Sequence, residues 1–289
     1  MGEGFDGISA QNRRSWNAAV AAHESHREGL AGFLRDGGGT LFPEEMELLG
    51  DVSGKTVAHL MCNAGGDSLS LASRGASVVG VDMSDEAVAH ARRLSSDSGI
   101  PARFERAEIY EWMGKAASED RRFDIVFASY GVVCWLHDLD MWAEGVASIL
   151  EPGGRFVLVE FHPFSAMLDS EWNLARDYLS DGAERDEGGV GDYVGASGAG
   201  LVPSGFVEGI EDFENPEECH LFRWGIGDVV SSLAKAGMGV EALREYPYSN
   251  GEKNFVGMRE MPGRRMLPPE GVPSVPLMYG LSARKRGIA

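Results

Sequence analysis

Segments with strand character alternate with segments of helical spacing between residues 54 and 161. The strands predicted there are largely apolar, namely Thr56–Met61, Ser77–Val81, Arg103–Ala107, Phe123–Ala128 and Arg155–Phe161. Helices are predicted over Asp67–Ser73, with Asp67 as N-cap, and over Ser84–Leu94 and Asp140–Leu150. Buried strands separated by helices are typical of a parallel sheet that carries helices on both faces. The alternation therefore predicts a Rossmann-like α/β fold.

Segments outside this alternation predict how the sheet is completed. Gly227–Ala236 has helical spacing, and Val240–Tyr246 and Leu277–Arg284 have strand patterns. An antiparallel closing strand among them would finish a seven-stranded mixed sheet. At the other end of the chain, Ala10–Phe33 is predicted to be helical, and we expect it to fold over the ligand site as a lid.

A glycine-rich insertion follows the fifth strand. Nine of the 39 glycines lie between Gly182 and Gly209, and neither helical nor strand periodicity is visible there. This pattern predicts a mobile surface segment. With the N-terminal helix it would form a moving cover that excludes water; an insertion without function is the alternative.

The charge and cysteine content narrow the function classes. The chain has 26 Lys and Arg against 45 Asp and Glu, a net charge of −19, which disfavours a nucleic-acid substrate. No apolar stretch is long enough for a membrane helix, so no membrane partner is expected. The three cysteines, Cys62, Cys134 and Cys219, are odd in number and scattered, which argues against a disulfide framework or a zinc site. A reduced cytoplasm and no bound metal are expected.

The loop after the first strand reads Met-Cys-Asn-Ala-Gly-Gly-Asp, from Met61 to Asp67. It lacks the G-x-G-x-x-G pattern of dinucleotide folds and the Lys-Ser/Thr of a P-loop. Ligands of such sheets bind beyond the carboxyl ends of the strands. Three features there suit S-adenosylmethionine, which carries no phosphate. Gly65 allows a close backbone approach, Asp82 ends strand two where it can accept ribose hydroxyls, and Glu108-Ile109 follows strand three where it can read and sandwich adenine.

The stretch from Gly54 to Glu160 resembles a class I S-adenosylmethionine-dependent methyltransferase. The glycine-rich first motif of that family corresponds to VAHLMCNAGGDSLSLA in this sequence. The segment with the ribose-binding acid corresponds to GASVVGVDMS, and the segment at the adenine edge corresponds to FERAEIY. FDIVFASYGVVCW and LEPGGRFVLVE match the fourth strand and the turn into the fifth. The first motif departs from the family's acid and three glycines, whose places hold His59, Met61, Asn63 and Gly65. A subgroup of bacterial small-molecule methyltransferases is similar there, with His-Leu-x-Cys-x-x-Gly.

The resemblance implies S-adenosylmethionine as cofactor and adds contacts to it. Asn63 would bind the methionine part, Met83 would stack on adenine, Ser129 would lie near the sulfonium and Trp16 would close the lid. A plain core tryptophan is the alternative for Trp16, and a degenerate loop that binds nothing is the alternative for the first motif.

In-line methyl transfer requires alignment, and removal of a proton when the acceptor is a hydroxyl or a poor amine. Candidate bases at the ends of strands four and five are His137 and His162, with Glu160 and Tyr130 beside them. Glu160 and His162 alternate along one strand and should share a face. A satisfied structural histidine is the alternative for His162, and a solvated helix start for His137. His23, His26 and His90 are predicted to be solvated.

Aromatic residues crowd the segments beyond strands four and five. They are Tyr130, Trp135, Phe161, Phe164, Trp172 and Tyr178. As a cluster they suggest a small apolar or aromatic methyl acceptor. His220 and Trp224 are predicted to form a further substrate wall.

The sequence therefore predicts four parts. Residues 1–50 form an N-terminal helical cap, 51–165 the cofactor-binding core, 166–225 an insertion that covers the substrate, and 226–289 the helix and strands that complete the sheet. The function expected is O- or N-methylation of a small molecule, as in secondary metabolism, by an enzyme that forms a homodimer. The alternatives are an NAD-dependent oxidoreductase of the same topology and a non-catalytic binding protein that has lost the cofactor loop.

Overall fold

The computed structural model describes residues 3–179 and 182–286. Its helices are α1 (Glu3–Ser25), α2 (Leu30–Arg35), α3 (Pro43–Leu49), α4 (Gly66–Ala72), α5 (Asp85–Ser98), α6 (Ile109–Ser118), α7 (Leu139–Ile149), α8 (Tyr193–Ser197) and α9 (Ile226–Lys235). Its strands are β1 (Thr56–Leu60), β2 (Ser77–Asp82), β3 (Arg103–Arg106), β4 (Phe123–Ser129), β5 (Leu150–Phe161), β6 (Ala183–Asp186), β7 (Cys219–Phe222), β8 (Met238–Tyr246), β9 (Ser249–Asn250), β10 (Arg259–Met261), β11 (Arg265–Leu267) and β12 (Met278–Lys285).

The main sheet has seven strands in the order β3-β2-β1-β4-β5-β12-β8. The pairs from β3 to β5 are parallel, and β12 runs antiparallel to both of its neighbours. Helices α6, α7 and α9 bury the apolar residues of one face, and α2 to α5 lie against the other. The predicted seven-stranded Rossmann-like mixed sheet with helices on both faces is confirmed, including its antiparallel closing strand.

The helix after β1 begins one residue earlier than predicted. Gly65 is its N-cap, with a φ of 83°, and Asp67 lies inside the first turn, where it accepts a hydrogen bond from the Thr40 hydroxyl. A Cβ atom on Gly65 would lie 2.7 Å from Cβ of Ala91 on α5. Glycine is therefore required here both for its left-handed backbone and for close packing.

The N-terminal segment is two helices rather than the single one predicted over Ala10–Phe33. Helix α1 ends at Ser25, and α2 starts after Gly29, whose φ is 69°. Between them, Arg27 forms a β-bridge with Phe206 of the insertion. The chain leaves the helix there because it pairs with another segment, a contact that helical spacing does not reveal.

The glycine-rich insertion contains regular structure, contrary to the prediction. Strand β6 pairs antiparallel with β7, and the Asp192 side chain caps α8 by accepting from the Gly195 N–H. Elements of four and five residues are too short to show periodicity. They are held instead by α1, as where Ser15 Oγ accepts from the Val190 N–H at 2.9 Å.

Two histidines of the N-terminal region are buried, and the prediction that they are solvated is wrong. His26 Nε2 lies 2.7 Å from Asp192 Oδ2, and His23 Nε2 lies 2.9 Å from the Gly191 carbonyl oxygen. Both contacts join α1 to the insertion. His90, which is partly exposed, lies 3.0 Å from Glu24 Oε2.

A small sheet in the order β10-β11-β9 was not predicted. It precedes β12 and lies against α3, where Arg265 and Asn250 bond to the Glu44 carboxylate. Within residues 3–179 and 182–286, no helix is both long and apolar enough to cross a bilayer.

Candidate active site

A cavity of about 440 Å³ lies beyond the carboxyl ends of β1, β2, β4 and β5. Its floor is formed by the loops that follow these strands, and its sides by α1, the insertion and the small sheet. The predicted cofactor residues that line it are Trp16, Asn63, Gly65, Asp82, Met83, Ile109 and Ser129. The structure thus brings together seven side chains or backbone positions that are far apart in sequence.

Asp82 is fixed by two backbone donors. The Asn63 N–H donates to Oδ2 and the Ser84 N–H donates to Oδ1, both at 2.8 Å. Burial raises the pKa of this carboxyl above its usual value. Each oxygen of a carboxylate has a second lone-pair site, so the group can still accept two hydroxyl donors from the cavity.

The loop after β1 owes its shape to left-handed residues at alternate positions. Met61 has a φ of 54°, Asn63 of 48° and Gly65 of 83°. The Asn63 side chain donates to the Tyr193 hydroxyl at 3.0 Å and accepts from the Ala64 N–H at 2.7 Å. Asn63 therefore ties the loop to the insertion, a contact that the sequence does not indicate.

His59 stands where the family has an acid. Its Nδ1 lies 2.8 Å from Ser68 Oγ on α4, and burial lowers its pKa to about 4. The ring is neutral near pH 7, so it joins β1 to α4 without bringing a charge to the cavity.

Glu108 does not line the cavity, and its contact with adenine stays a prediction. It is the N-cap of α6, where its carboxylate accepts from the backbone N–H groups of Tyr110 and Glu111. Burial raises its pKa. The following residue, Ile109, does line the cavity.

Neither candidate histidine base lines the cavity. His162 Nε2 lies 2.9 Å from Glu245 Oε1 on β8, and its Nδ1 accepts from the Phe164 N–H. His137 stacks on Phe5 with ring centroids 4.5 Å apart. Burial lowers the pKa of both rings. Both rings are engaged by these partners, so the hypothesis that either takes a proton from the acceptor has no support from the geometry and stays a prediction.

Glu160 also has another role. Its carboxylate accepts from the backbone N–H groups of Gly131, Val132, Val133 and Phe161 at 2.6–2.9 Å. It is buried and absent from the cavity wall. Glu160 is therefore a positioning residue that shapes the end of β4, and its part in proton transfer stays a prediction.

The predicted substrate residues divide into two groups. Tyr130, Trp135 and Phe161 line the cavity, whereas Phe164, His220 and Trp224 do not. The Trp224 indole N–H donates to the Leu136 carbonyl oxygen at 2.8 Å, on the α9 side of the sheet. His220 lies between the cavity-lining Cys219 and Leu221 on β7, so its side chain takes the opposite face.

All three cysteines line the cavity, although they are scattered in sequence. Burial raises the pKa of each thiol, for Cys219 to about 11. In the part of the chain that the structure describes, no group of three His, Cys, Asp or Glu residues could hold a metal ion.

Several lining residues were missed because they come from segments without periodicity. Arg264 lies over the Phe42 ring, 4.1 Å from its centroid, and donates to the carbonyl oxygens of Thr40 and Gly200. Asn250 Nδ2 donates to the Tyr130 hydroxyl at 2.8 Å. Arg264 and Asn250 therefore add a wall from the small sheet to the cavity.

Glu252 is the missed residue with the most unusual chemistry. It lies in the loop between β9 and β10 and lines the cavity. Burial, opposed by a hydrogen bond from Asn254 and reinforced by the nearby acid Glu160, raises its pKa to about 7. It can therefore gain or lose a proton near neutral pH.

Comparison with known proteins gives one family and a set of structural neighbours. Residues 57–154 match the family model described as a methyltransferase domain. A search of curated proteins gave no match.

The structural neighbours share the fold at low identity. An S-adenosylmethionine-dependent methyltransferase from Mesorhizobium loti has a TM-score of 0.56 and 20% identity, covering 86% of this chain and 99% of that one. One from Clostridium acetobutylicum has a TM-score of 0.52 and 13% identity, covering 80% and 84%. The DhpI–SAH complex has a TM-score of 0.53 and 14% identity, covering 97% and 98%.

Proposed function

We propose that this chain, whose residues 57–154 form a methyltransferase domain on a class I sheet, transfers the methyl group of S-adenosylmethionine to an oxygen or nitrogen atom of a small molecule. The family match and the fold agree with the resemblance read from the sequence. S-adenosylmethionine is the cofactor, as it is for the methyltransferases that share this fold. The acceptor and the atom methylated are part of the proposal.

The observation that carries the proposal is the cavity above Asp82. A free carboxylate edge, a left-handed glycine loop and the apolar side chains of Met83 and Ile109 meet at one end of it. This donor and acceptor set fits an adenosine that carries no phosphate, since no Lys or Arg lies in the loop from Met61 to Asp67. Asp82 would hold the ribose, and Met83 and Ile109 would flank the adenine.

When bound, S-adenosylmethionine supplies a methyl group that its sulfonium already activates. The protein's residues have the remaining tasks. The Glu160 carboxylate accepts hydrogen bonds from the backbone N–H groups of the loop from Gly131 to Val133. These bonds position the loop at the end of β4. The Trp16 ring packs edge to face against two other rings of the cavity wall. Its centroid lies 5.5 Å from that of Trp135 and 6.4 Å from that of Tyr193. These rings exclude water from the part of the cavity that they line.

A small acceptor is favoured over a macromolecule for two reasons. The cavity is walled by α1, the insertion and the small sheet, and its volume of about 440 Å³ suits a small molecule. The net charge of −19 opposes a polyanionic partner. An acceptor from secondary metabolism is supported by the resemblance of the first loop to small-molecule methyltransferases, and by nothing in the geometry.

Two measurements test this function. Calorimetry should show binding of S-adenosylmethionine, and NAD should not compete with it. Labelled methyl groups should then pass from the cofactor to a low-molecular-weight extract of cells that carry the gene. Absence of cofactor binding would overturn the proposal in favour of a non-catalytic protein, and oxidation of an alcohol with NAD would overturn it in favour of an oxidoreductase.

A further inference from the structure

One acid that lines the cavity, Glu252, forms no ion pair with a described Lys, Arg or His, and its carboxyl accepts a hydrogen bond from Asn254. Its backbone is fixed on both sides. The Glu252 N–H donates to the Asn250 carbonyl oxygen at 2.9 Å, and Ser249 Oγ donates to the Glu252 carbonyl oxygen at 2.7 Å. The next residue, Lys253, donates its N–H to Ser197 Oγ at 3.1 Å. These bonds hold the loop against the insertion and present Glu252 to the cavity.

The groups around Glu252 place its carboxyl near the exits of β4 and β5. Its charge influences Cys134, which follows β4, and Tyr193 of α8, and it is itself influenced by Glu160 at the end of β5. Parallel strands deliver reacting groups to this edge of the sheet. The Glu252 N–H donates to the Asn250 carbonyl oxygen, and Asn250 Nδ2 donates to the Tyr130 hydroxyl at 2.8 Å, so the loop that carries Glu252 lies beside Tyr130 at the end of β4.

The basic side chains near Glu252 are engaged elsewhere. Lys253 Nζ lies 3.6 Å from Glu260, Arg27 pairs with Glu24, and Arg264 donates to two backbone carbonyls. Among the described residues, no Lys, Arg or His forms an ion pair with Glu252, and the charge felt most strongly by it is that of another acid. A carboxylate in such surroundings holds a proton more tightly than one in water.

Other titratable groups of the cavity are less suited to accept a proton. Asp82 holds two backbone donors, and Asp67 accepts from the Thr40 hydroxyl. Asp186 is exposed and accepts from the Gly188 N–H. Burial raises the pKa of Tyr130 well above its usual value, so its phenolate is not available near neutrality.

We propose that the carboxylate of Glu252 takes the proton of the methyl acceptor, an inference that rests on the proposed function. The acceptor is a hydroxyl group or an uncharged amine. Its lone pair forms the new bond to the methyl carbon, the carbon–sulfur bond breaks with its electrons retained by sulfur, and the acceptor proton passes to Glu252. The proton later leaves to water, which restores the carboxylate.

The test compares the full-length wild-type protein with Glu252→Gln and with Glu260→Gln, a control on the neighbouring strand β10. The probes are S-adenosylmethionine with a tritiated methyl group and a low-molecular-weight extract of cells that carry the gene. Label transfer is measured between pH 5.5 and 9, at limiting and at saturating extract. Calorimetry gives the Kd of S-adenosylmethionine for each protein.

Wild type and Glu260→Gln should show a rate that rises with pH through about 7 and then levels. Glu252→Gln should lose this rising limb and about 100-fold in rate at saturating extract, with the cofactor Kd within threefold. Glu252→Asp, which keeps a carboxylate, should retain the limb at a reduced rate, and it serves as the test if Glu252→Gln does not fold.

Three results for Glu252→Gln would overturn the inference. The first is a pH profile that keeps its rising limb. The second is a loss of rate at limiting extract alone, which indicates a binding role, and the third is a loss of affinity for S-adenosylmethionine. If the wild type binds S-adenosylmethionine but transfers no label, the proposed function itself fails, and this result is distinct from the other three.

Discussion

The backbone N–H of Asn63 donates a hydrogen bond to Oδ2 of Asp82, with the two atoms 2.8 Å apart. This bond joins the loop after β1 to the end of β2. It depends on the left-handed backbone of Asn63, whose φ of 48° turns the peptide toward the acid. The position of the carboxylate and the shape of the loop are therefore set together.

Asp82→Ala should weaken S-adenosylmethionine binding at least tenfold. The carboxylate can accept two ribose hydroxyls, each worth roughly 1–2 kcal/mol, and 1.4 kcal/mol is about tenfold in affinity. Calorimetry measures the Kd, with Asp97→Ala on the exposed face of α5 as control. An unchanged Kd in a folded Asp82→Ala protein would show that the ribose is held elsewhere.

His26→Ala should loosen the insertion. The substitution removes the 2.7 Å contact with Asp192, which caps α8. Limited proteolysis should cut residues 182–209 several times faster than in the wild type, while fragments from the sheet stay protected. His90→Ala removes a histidine that bonds to Glu24 and not to the insertion, so it should be cleaved like the wild type. Equal cleavage of both variants would contradict the prediction.

Glu160→Ala should lower the free energy of unfolding by roughly 3 kcal/mol, because four backbone donors lose their acceptor in a buried site. Urea denaturation measures the loss. Glu151→Ala, in the exposed first part of the same strand, should change stability by less than about 0.5 kcal/mol. A small loss in Glu160→Ala would mean that water replaces the carboxylate.

His162→Ala should leave the cofactor Kd and the rate of methyl transfer within about threefold of the wild type. The ring contacts Glu245 and the Phe164 N–H outside the cavity, so its loss should cost about 1 kcal/mol of stability instead. Label transfer and thermal unfolding separate the two effects. A large loss of the methyl-transfer rate at unchanged stability would indicate that His162 acts as the base.

Glu252 should make stability fall as pH rises toward neutrality. Its folded pKa of about 7 lies above the usual 4.5, so the proton it holds stabilises the fold fully below pH 4.5, and this contribution is lost as pH rises through 7. Other buried acids such as Asp82 and Glu108 also have raised pKa values and contribute a slope of the same sign. Urea denaturation from pH 4 to 8 should therefore show a steeper slope in the wild type and in Glu260→Gln than in Glu252→Gln. Parallel profiles for all three proteins would contradict it.

The sheet was predictable because parallel strands are buried on both faces and read as apolar runs. Asp82 was predictable for a related reason, since its side chain follows such a run directly. The same information does not say which face of a strand turns to the ligand. Phe161 lines the cavity, whereas its neighbours Glu160 and His162 do not, and alternation along a strand does not tell which of the two sets faces the ligand.

The upper walls of the cavity were not predictable from local patterns. Tyr193 and Arg264 come from an insertion and a hairpin whose elements are three to five residues long. Their positions follow from hydrogen bonds with α1 and α3, which join residues up to 221 positions apart. No periodicity within one segment can report such a contact.

The cover and the sheet are held largely by different sets of bonds, with the Asn63–Tyr193 hydrogen bond as a link between them. Asn12 and Ser15 of α1 hold β7 and the insertion, and Glu44 of α3 holds the small sheet, while Asp82 and its loop belong to the parallel strands. A substitution of Asn12, Ser15 or Glu44 should therefore loosen one wall of the cavity and leave the backbone donors of Asp82 in place.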